Sequence, residues 1–165
     1  DGQIFLESDL FNAGQRPAVN AGVSVSRVGG AAQRKAMRSV AGQLRLDMAQ
    51  FRDLQAFAQF GTADLDIATR NQLERGLRLN ALLIQPENQP LRLGHQVASI
   101  WAASNGFLDD VAVNKIGDFE KALRDFLDSS HPEIADAIDS AGDLTDATQA
   151  QLRKALEDFK ASVPF

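Results

Sequence analysis

Cysteine is absent from this sequence, and its absence excludes disulfide bonds, cysteine nucleophiles and zinc sites built on thiolates. No apolar run approaches the roughly 20 residues of a membrane-spanning helix, and no secretory signal sequence is recognisable. A phosphate-binding loop of the form GxxxxGKS or GxxxxGKT is also missing. Since the first residue is Asp1 rather than Met, we expect the chain to be a piece of a longer protein.

Basic charge is scarce in the second half of the chain. The whole chain has a formal net charge of −5, but residues 106–165 hold 6 Lys and Arg against 13 Asp and Glu, a net charge of −7. An acidic half argues against nucleic-acid binding, which needs a basic surface. It is typical of a solvated helical face, and a surface for a basic protein partner is the alternative.

Apolar residues recur at helical spacing from residue 31 onward. The stripe on the first helix consists of Met37, Val40, Ala41, Leu44, Met48 and Phe51. The residues predicted to face inward from a second helix, which begins near Asp66, are Leu73, Leu77, Ala81 and Leu82. Further helices are predicted over 94–105, 113–129 and 133–141, and from a cap at Thr145 to about Lys160. The predicted fold is mainly α, a bundle of about five to six helices over residues 31–165.

The first thirty residues have a different pattern. Short extended segments are predicted at 3–6 and 23–26, with a turn at 14–17 between them and Gly29 and Gly30 after them. Two such strands cannot form an independent sheet. We therefore expect residues 1–30 to be a strand and loop remnant of a larger domain that lies upstream. Open strand edges pair with other chains, so we also expect the isolated chain to self-associate through this segment.

Few residues could carry chemistry by themselves. His95 and His131 have no ligand-like spacing to other metal donors, so no metal site is predicted. Ser24 has no histidine near it in sequence, and a catalytic triad cannot be argued. Gly29 and Gly30 could offer backbone N–H groups to an anion, although a strand-to-helix turn is the simpler explanation. The residue pattern alone thus predicts a helical bundle without a self-contained active site.

Several strings, taken in order, resemble the alpha subunit of F-type, proton-translocating ATP synthases. They include DGQIFLE at 1–7, GQRPA at 14–18, GVSVSRVG at 22–29 and AFAQF at 56–60, with matches continuing to Gln96 and Val97. The resemblance covers nearly the whole chain and is strongest up to about Gly106. It implies that residues 1–30 are the end of an α/β nucleotide-binding domain and residues 31–165 are the C-terminal helical domain.

The resemblance also implies partners and a cellular position. Alpha alternates with beta subunits around the gamma central stalk, contacts the delta or peripheral stalk, and binds ATP or ADP with Mg at a non-catalytic site. It lies peripherally at the cytoplasmic face of the cell membrane, or the equivalent organelle face, and touches the membrane only through the complex. The segment 62–68 resembles the loop that approaches the stalk, and helix capping by its aspartates is an equal alternative. Without a phosphate loop, the isolated chain is expected neither to hydrolyse ATP nor to hold a nucleotide firmly.

Two residues are implied in catalysis by the resemblance. Arg27 matches the arginine that alpha inserts into the neighbouring beta site, where a guanidinium can meet the charge spread over a transferring phosphoryl group. Ser24 lies in the same segment and matches a position on which activity depends. A hydroxyl that only positions the segment is an equal alternative for Ser24.

Four residues match positions on the adenine side of alpha's own nucleotide pocket, namely Phe11, Arg16, Pro17 and Gln85. At Glu87 the sequence departs, because many relatives carry a second glutamine there, and a carboxylate changes the pattern of donors. Core packing is the alternative for Phe11. A helical interaction module with no nucleotide function is the alternative for the whole chain.

Overall fold

Helices make up most of the structure, a computed structural model that describes residues 2–58 and 66–163. The strands are β1 (Gly2–Gln3) and β2 (Val25–Ser26). The helices are α1 (Ser8–Asn12), α2 (Arg27–Ala32), α3 (Lys35–Ala58), α4 (Ile67–Leu82), α5 (Leu93–Ser104), α6 (Ile116–Ser130), α7 (Pro132–Ala141) and α8 (Asp146–Ser162). A 3-10 turn at Val113–Lys115 precedes α6. The mainly α fold class is therefore confirmed.

The bundle of α3–α8 is organised around α5. This helix packs most extensively against α3 and α7, and it also contacts α4, α6 and α8. Its residues are buried around most of its circumference, as expected for a helix that is apolar on nearly all faces. Behind it, the rings of Phe119 and Phe159 meet edge to face with centroids 5.3 Å apart. The bundle therefore has one continuous hydrophobic core.

The predicted helix boundaries are largely confirmed by their capping residues. The side chain of Asp66 accepts the N–H of Thr69 at 2.9 Å at the start of α4, and Thr145 accepts the N–H of Thr148 at 3.2 Å at the start of α8. Pro132 occupies the first turn of α7, where its missing N–H costs nothing. The glycine and aspartate of the segment 61–64 predict the end of the first helix, but this segment and most of the segment 62–68 lie outside the described residues.

Three expectations from the helical pattern and the first thirty residues are wrong. Leu77 is 42% exposed rather than buried, because it lies on the side of α4 away from the core. The first strand spans Gly2–Gln3 instead of 3–6, and Gly29 and Gly30 lie inside α2 instead of ending a strand. Neither α1 nor α2 was predicted, since both are shorter than two turns and have no apolar periodicity.

Residues 2–32 form a loop-rich segment that packs beside the bundle. β1 and β2 pair antiparallel, with Gly2 opposite Ser26, and Leu6 bridges to Val19. Between Leu6 and Val19 the chain makes a wide turn that contains α1. In the part of the chain that the structure describes, no helix combines the length and apolar character needed to cross a membrane.

Candidate functional site: a groove between the wide turn and the loop after α4

An open groove of about 950 Å³ separates the wide turn of residues 6–18 from the loop that follows α4. Its lining residues are Leu6, Glu7, Ser8, Phe11, Asn12, Arg16, Pro17, Ala18, Gln85, Pro86 and Glu87. We call this feature the groove. All four predicted pocket residues and Glu87 line it, although they come from parts of the chain that are far apart in sequence.

Backbone hydrogen bonds give the groove its shape. The wide turn is closed by the N–H of Glu7, which donates to the carbonyl of Ala18 at 3.0 Å. The loop after α4 is attached to the turn by the N–H of Gln85, which donates to the carbonyl of Arg16 at 2.8 Å. One main-chain hydrogen bond thus closes the turn, and another joins the turn to the loop after α4.

The floor of the groove is aromatic and cationic. The guanidinium carbon of Arg16 lies 4.4 Å from the centroid of the Phe11 ring, which is within cation–π distance. Phe11 is 50% exposed. Its ring therefore lines the groove and is not buried in the hydrophobic core. The peptide bond between Arg16 and Pro17 is cis. The Phe11 ring and the Arg16 guanidinium are both planar groups of the kind on which a planar ring can stack.

Acceptors and donors stand at the loop side of the groove. Within residues 2–58 and 66–163, no hydrogen bond or ion pair engages the carboxylate of Glu87 or the side-chain amide of Gln85. Glu7, by contrast, is already committed, because its carboxylate accepts from the side-chain amide of the buried Asn20 and lies 4.0 Å from Arg52. Gln85 and Glu87 are therefore among the polar groups of the groove whose side chains are available to a ligand.

Ser24 and Arg27 lie away from the groove, at the junction of β2 and α2. The hydroxyl of Ser24 is 8% exposed and accepts the N–H of Phe5 at 3.0 Å. The hydroxyl of Ser26 caps α2 by accepting the N–H of Gly29 at 3.0 Å. The N–H of Gly29 thus has a partner within the chain, and Gly29 lies inside α2 rather than in a turn before it. Arg27 is the first residue of α2 and is exposed.

Each of the two histidines lies beside a carboxylate. His95 is buried, with its Nε2 2.8 Å from a carboxylate oxygen of Asp128, and His131 lies beside Glu133. Among the described residues, no three or more His, Cys, Asp or Glu side chains form a group that could hold a metal ion. The groove likewise has aromatic and amide chemistry rather than a set of metal ligands.

Sequence reasoning missed about half of the groove. Leu6, Ser8, Asn12 and Ala18 line it because the closed turn brings them round to one side. Glu7 was missed for the same reason. The only signal in the sequence was the Gly14–Pro17 turn, which predicts a change of direction but not which side chains share a surface.

Comparison with known proteins gives a consistent result. Residues 33–159 match the family described as "ATP synthase alpha/beta chain, C terminal domain". The whole chain is 56% identical over 165 residues to ATP synthase subunit alpha of Ralstonia pickettii (strain 12J), 32% of which it covers. The chain is also 55% identical to ATP synthase subunit alpha of Syntrophomonas wolfei. That match includes 98% of this chain and 32% of the relative. It is 58% identical to ATP synthase subunit alpha of Frankia casuarinae, in a match that includes 97% of this chain and 29% of the relative. The chain thus spans roughly a third of the length of these curated relatives, and the predicted resemblance is confirmed.

Proposed function

Because the protein belongs to the family of C-terminal domains of ATP synthase alpha and beta subunits, we propose that it acts as the C-terminal part of the alpha subunit of an F-type ATP synthase. In this proposal residues 1–30 are the end of the nucleotide-binding domain, and residues 31–165 form the helical domain. The subunit couples proton translocation to ATP synthesis or hydrolysis without being the catalytic subunit. It works peripherally at the cytoplasmic face of the cell membrane or the equivalent organelle face.

The observation that supports the proposal most strongly is the meeting of Phe11, Arg16, Pro17 and Gln85 in one groove. The groove takes the adenine end of ATP or ADP, and Mg accompanies the phosphates in the intact subunit. A stacked guanidinium and ring suit a planar base. The phosphates need a cradle of backbone N–H groups that this chain does not supply. The isolated chain therefore binds nucleotide weakly and does not hydrolyse it.

Arg27 is proposed to act in trans, on the catalytic site of a neighbouring beta subunit. Its exposed position at the start of α2 is compatible with reaching a partner. A planar guanidinium can donate two parallel hydrogen bonds to the oxygens of a transferring phosphoryl group. Ser24 is proposed as a positioning residue, because its hydroxyl holds the backbone of Phe5 beside the segment that ends in Arg27. The further partners are the gamma stalk and the delta or peripheral stalk.

The decisive experiment is Arg27→Lys in the assembled complex. Lysine keeps the positive charge but loses the planar fork. Arginine fingers in nucleotide-hydrolysing enzymes contribute about 10³ to 10⁵ in rate, so we expect steady-state hydrolysis to fall by at least about 10³. Nucleotide affinity at beta should change far less, since ground-state binding uses other groups.

The matched control is Arg16→Lys, the same chemical change in the groove. It should alter occupancy of the non-catalytic site and leave the chemical step mostly intact. Subunit composition is checked for each variant before kinetics. Near-normal turnover of Arg27→Lys, or a failure of that variant to assemble, would remove the support for Arg27 as a finger.

A further inference from the structure

Glu87 lines the loop side of the groove, whose other wall carries Phe11 and Arg16. It follows Pro86, whose ring fixes one backbone angle, and precedes Asn88, which has a φ of 59°. Asparagine tolerates this left-handed conformation better than most residues. With Gln85 bonded to the main chain of Arg16, the loop holds Glu87 at the tip of a defined turn.

The hydrogen-bonding character of Glu87 differs from that of a glutamine. An ionised carboxylate offers two acceptors and no donor, whereas a side-chain amide offers one of each. Adenine presents a donor, the 6-amino group, beside an acceptor, N1. An amide can satisfy both, but a carboxylate satisfies only the amino group and directs its second oxygen at the lone pair of N1. The carboxylate is therefore a poor match for adenine.

Guanine presents the opposite arrangement. Its N1–H and 2-amino groups are adjacent donors, and a carboxylate can accept from both at once, which forms two parallel charge-assisted bonds. The carboxylate of Glu87 is engaged by none of the side chains that the structure describes, so no existing contact has to break. The stacking surface of Arg16 and Phe11 does not discriminate between purines, because every base has a flat face.

We infer that Glu87 is a specificity-determining residue that shifts the groove from adenine toward guanine nucleotides. This inference rests on the proposed function, because it takes the groove to be a nucleotide-binding site. Gln85 contributes little to the choice, since its amide can rotate to suit either base.

The test uses the full-length alpha subunit to which we assign this chain, as the native sequence and as Glu87→Gln. Dissociation constants for Mg-ATP, Mg-GTP and Mg-ITP are measured by calorimetry. One bidentate contact discriminates between bases by roughly 5- to 150-fold. Because the site is open to solvent, we expect Glu87→Gln to move the ratio of ATP to GTP affinity about tenfold toward ATP.

Mg-ITP separates the two hydrogen bonds, because its base keeps N1–H and lacks the 2-amino group. The native subunit should bind it more weakly than Mg-GTP, and Glu87→Gln should reduce that difference. Glu157→Gln is the matched control: it removes the same charge from the exposed side of α8 and should leave all three affinities unchanged.

The outcomes separate the inference from the proposed function. Equal ATP-to-GTP ratios in the native subunit and in Glu87→Gln, with both nucleotides bound, would overturn the role of Glu87 and leave the nucleotide site standing. A shift of the same size in Glu157→Gln would also overturn it, because the effect would then be one of net charge. If the native subunit binds none of the three nucleotides, the assignment of the groove in the proposed function fails together with the inference.

Discussion

The ring of Phe51 on α3 lies where a side chain on Gly76 of α4 would have to be. A Cβ built on Gly76 would be 2.2 Å from Cδ2 of Phe51, and Phe51 itself is 4% exposed. The two helices approach closely because Gly76 has no side chain. This contact is one of those that seat α4 on the bundle, beside its contacts with α5 and α6.

The first prediction follows from that contact. Gly76→Ala should lower the free energy of unfolding by about 1–3 kcal/mol, the usual range for overpacking a well-packed core. Gly42→Ala is the control, since Gly42 lies within α3 and nothing lies within 4 Å of its Cβ position. It should raise stability by about 0.5–1 kcal/mol through helix propensity. Urea unfolding followed by circular dichroism measures both, and equal effects of the two variants would contradict the packing argument.

A second prediction concerns the start of α5. The carboxylate of Asp139 accepts the N–H of the buried Gly94 at 2.6 Å and also accepts from Arg92. Asp139→Ala leaves that N–H without a partner, so it should lower the free energy of unfolding by about 1–3 kcal/mol. Asp136 also bonds Arg92, but it is 65% exposed and holds no buried group. Asp136→Ala should therefore cost less than about 1 kcal/mol.

The difference between these two alanine variants isolates the hydrogen bond to Gly94. Both remove one carboxylate from the same arginine, so the loss of charge is shared. Thermal or urea unfolding that gives the same destabilisation for both would show that the Gly94 hydrogen bond contributes little.

A third prediction concerns the stability of the fold at acidic pH. The hydrogen bond from Lys160 holds the pKa of Asp110 below its ordinary value. A carboxyl whose folded-state pKa is depressed stabilises the fold above its unfolded-state pKa, and this contribution is lost as pH falls through the folded-state pKa. Stability should thus decline as pH falls below about 4, and the decline should be shallower in Asp110→Asn. The effect is small because Asp110 is largely exposed.

Lys160→Met tests the cause of this pH dependence. If the ammonium group is responsible, Lys160→Met should flatten the decline as Asp110→Asn does, and the double variant should add nothing further. Unfolding free energies at a series of pH values between about 2 and 7 provide the comparison. An unchanged slope in Lys160→Met would assign the effect to other groups.

A fourth prediction concerns association of the isolated chain. Ile4 is 59% exposed in the segment of residues 2–32, beside the two-stranded pairing, and large exposed apolar residues are concentrated there. Such open edges and apolar groups promote pairing between chains. Ile4→Lys should reduce self-association in analytical ultracentrifugation. Ile67→Lys, at the 77% exposed first residue of α4, should have a smaller effect, and a monomeric native protein at high concentration would contradict the prediction.

Local sequence patterns were sufficient for most of the bundle. Apolar periodicity and capping residues such as Asp66, Pro132 and Thr145 give the helices between 66 and 162 to within a few residues, because both signals act within a turn or two of the helix. The pattern failed at α1 and α2, which are too short to show a period, and at Leu77, where the helix turned a different face to its neighbours.

Sequence alone was enough for the helical class, for most helix boundaries and, through the order of its motifs, for the family. Tertiary packing determined which residues line the groove together. Phe11, Arg16 and Gln85 meet because the bond between Gln85 and Arg16 joins the wide turn to the loop after α4. No periodicity relates such distant positions, since the contact exists only once α4 has packed on the other helices of the bundle.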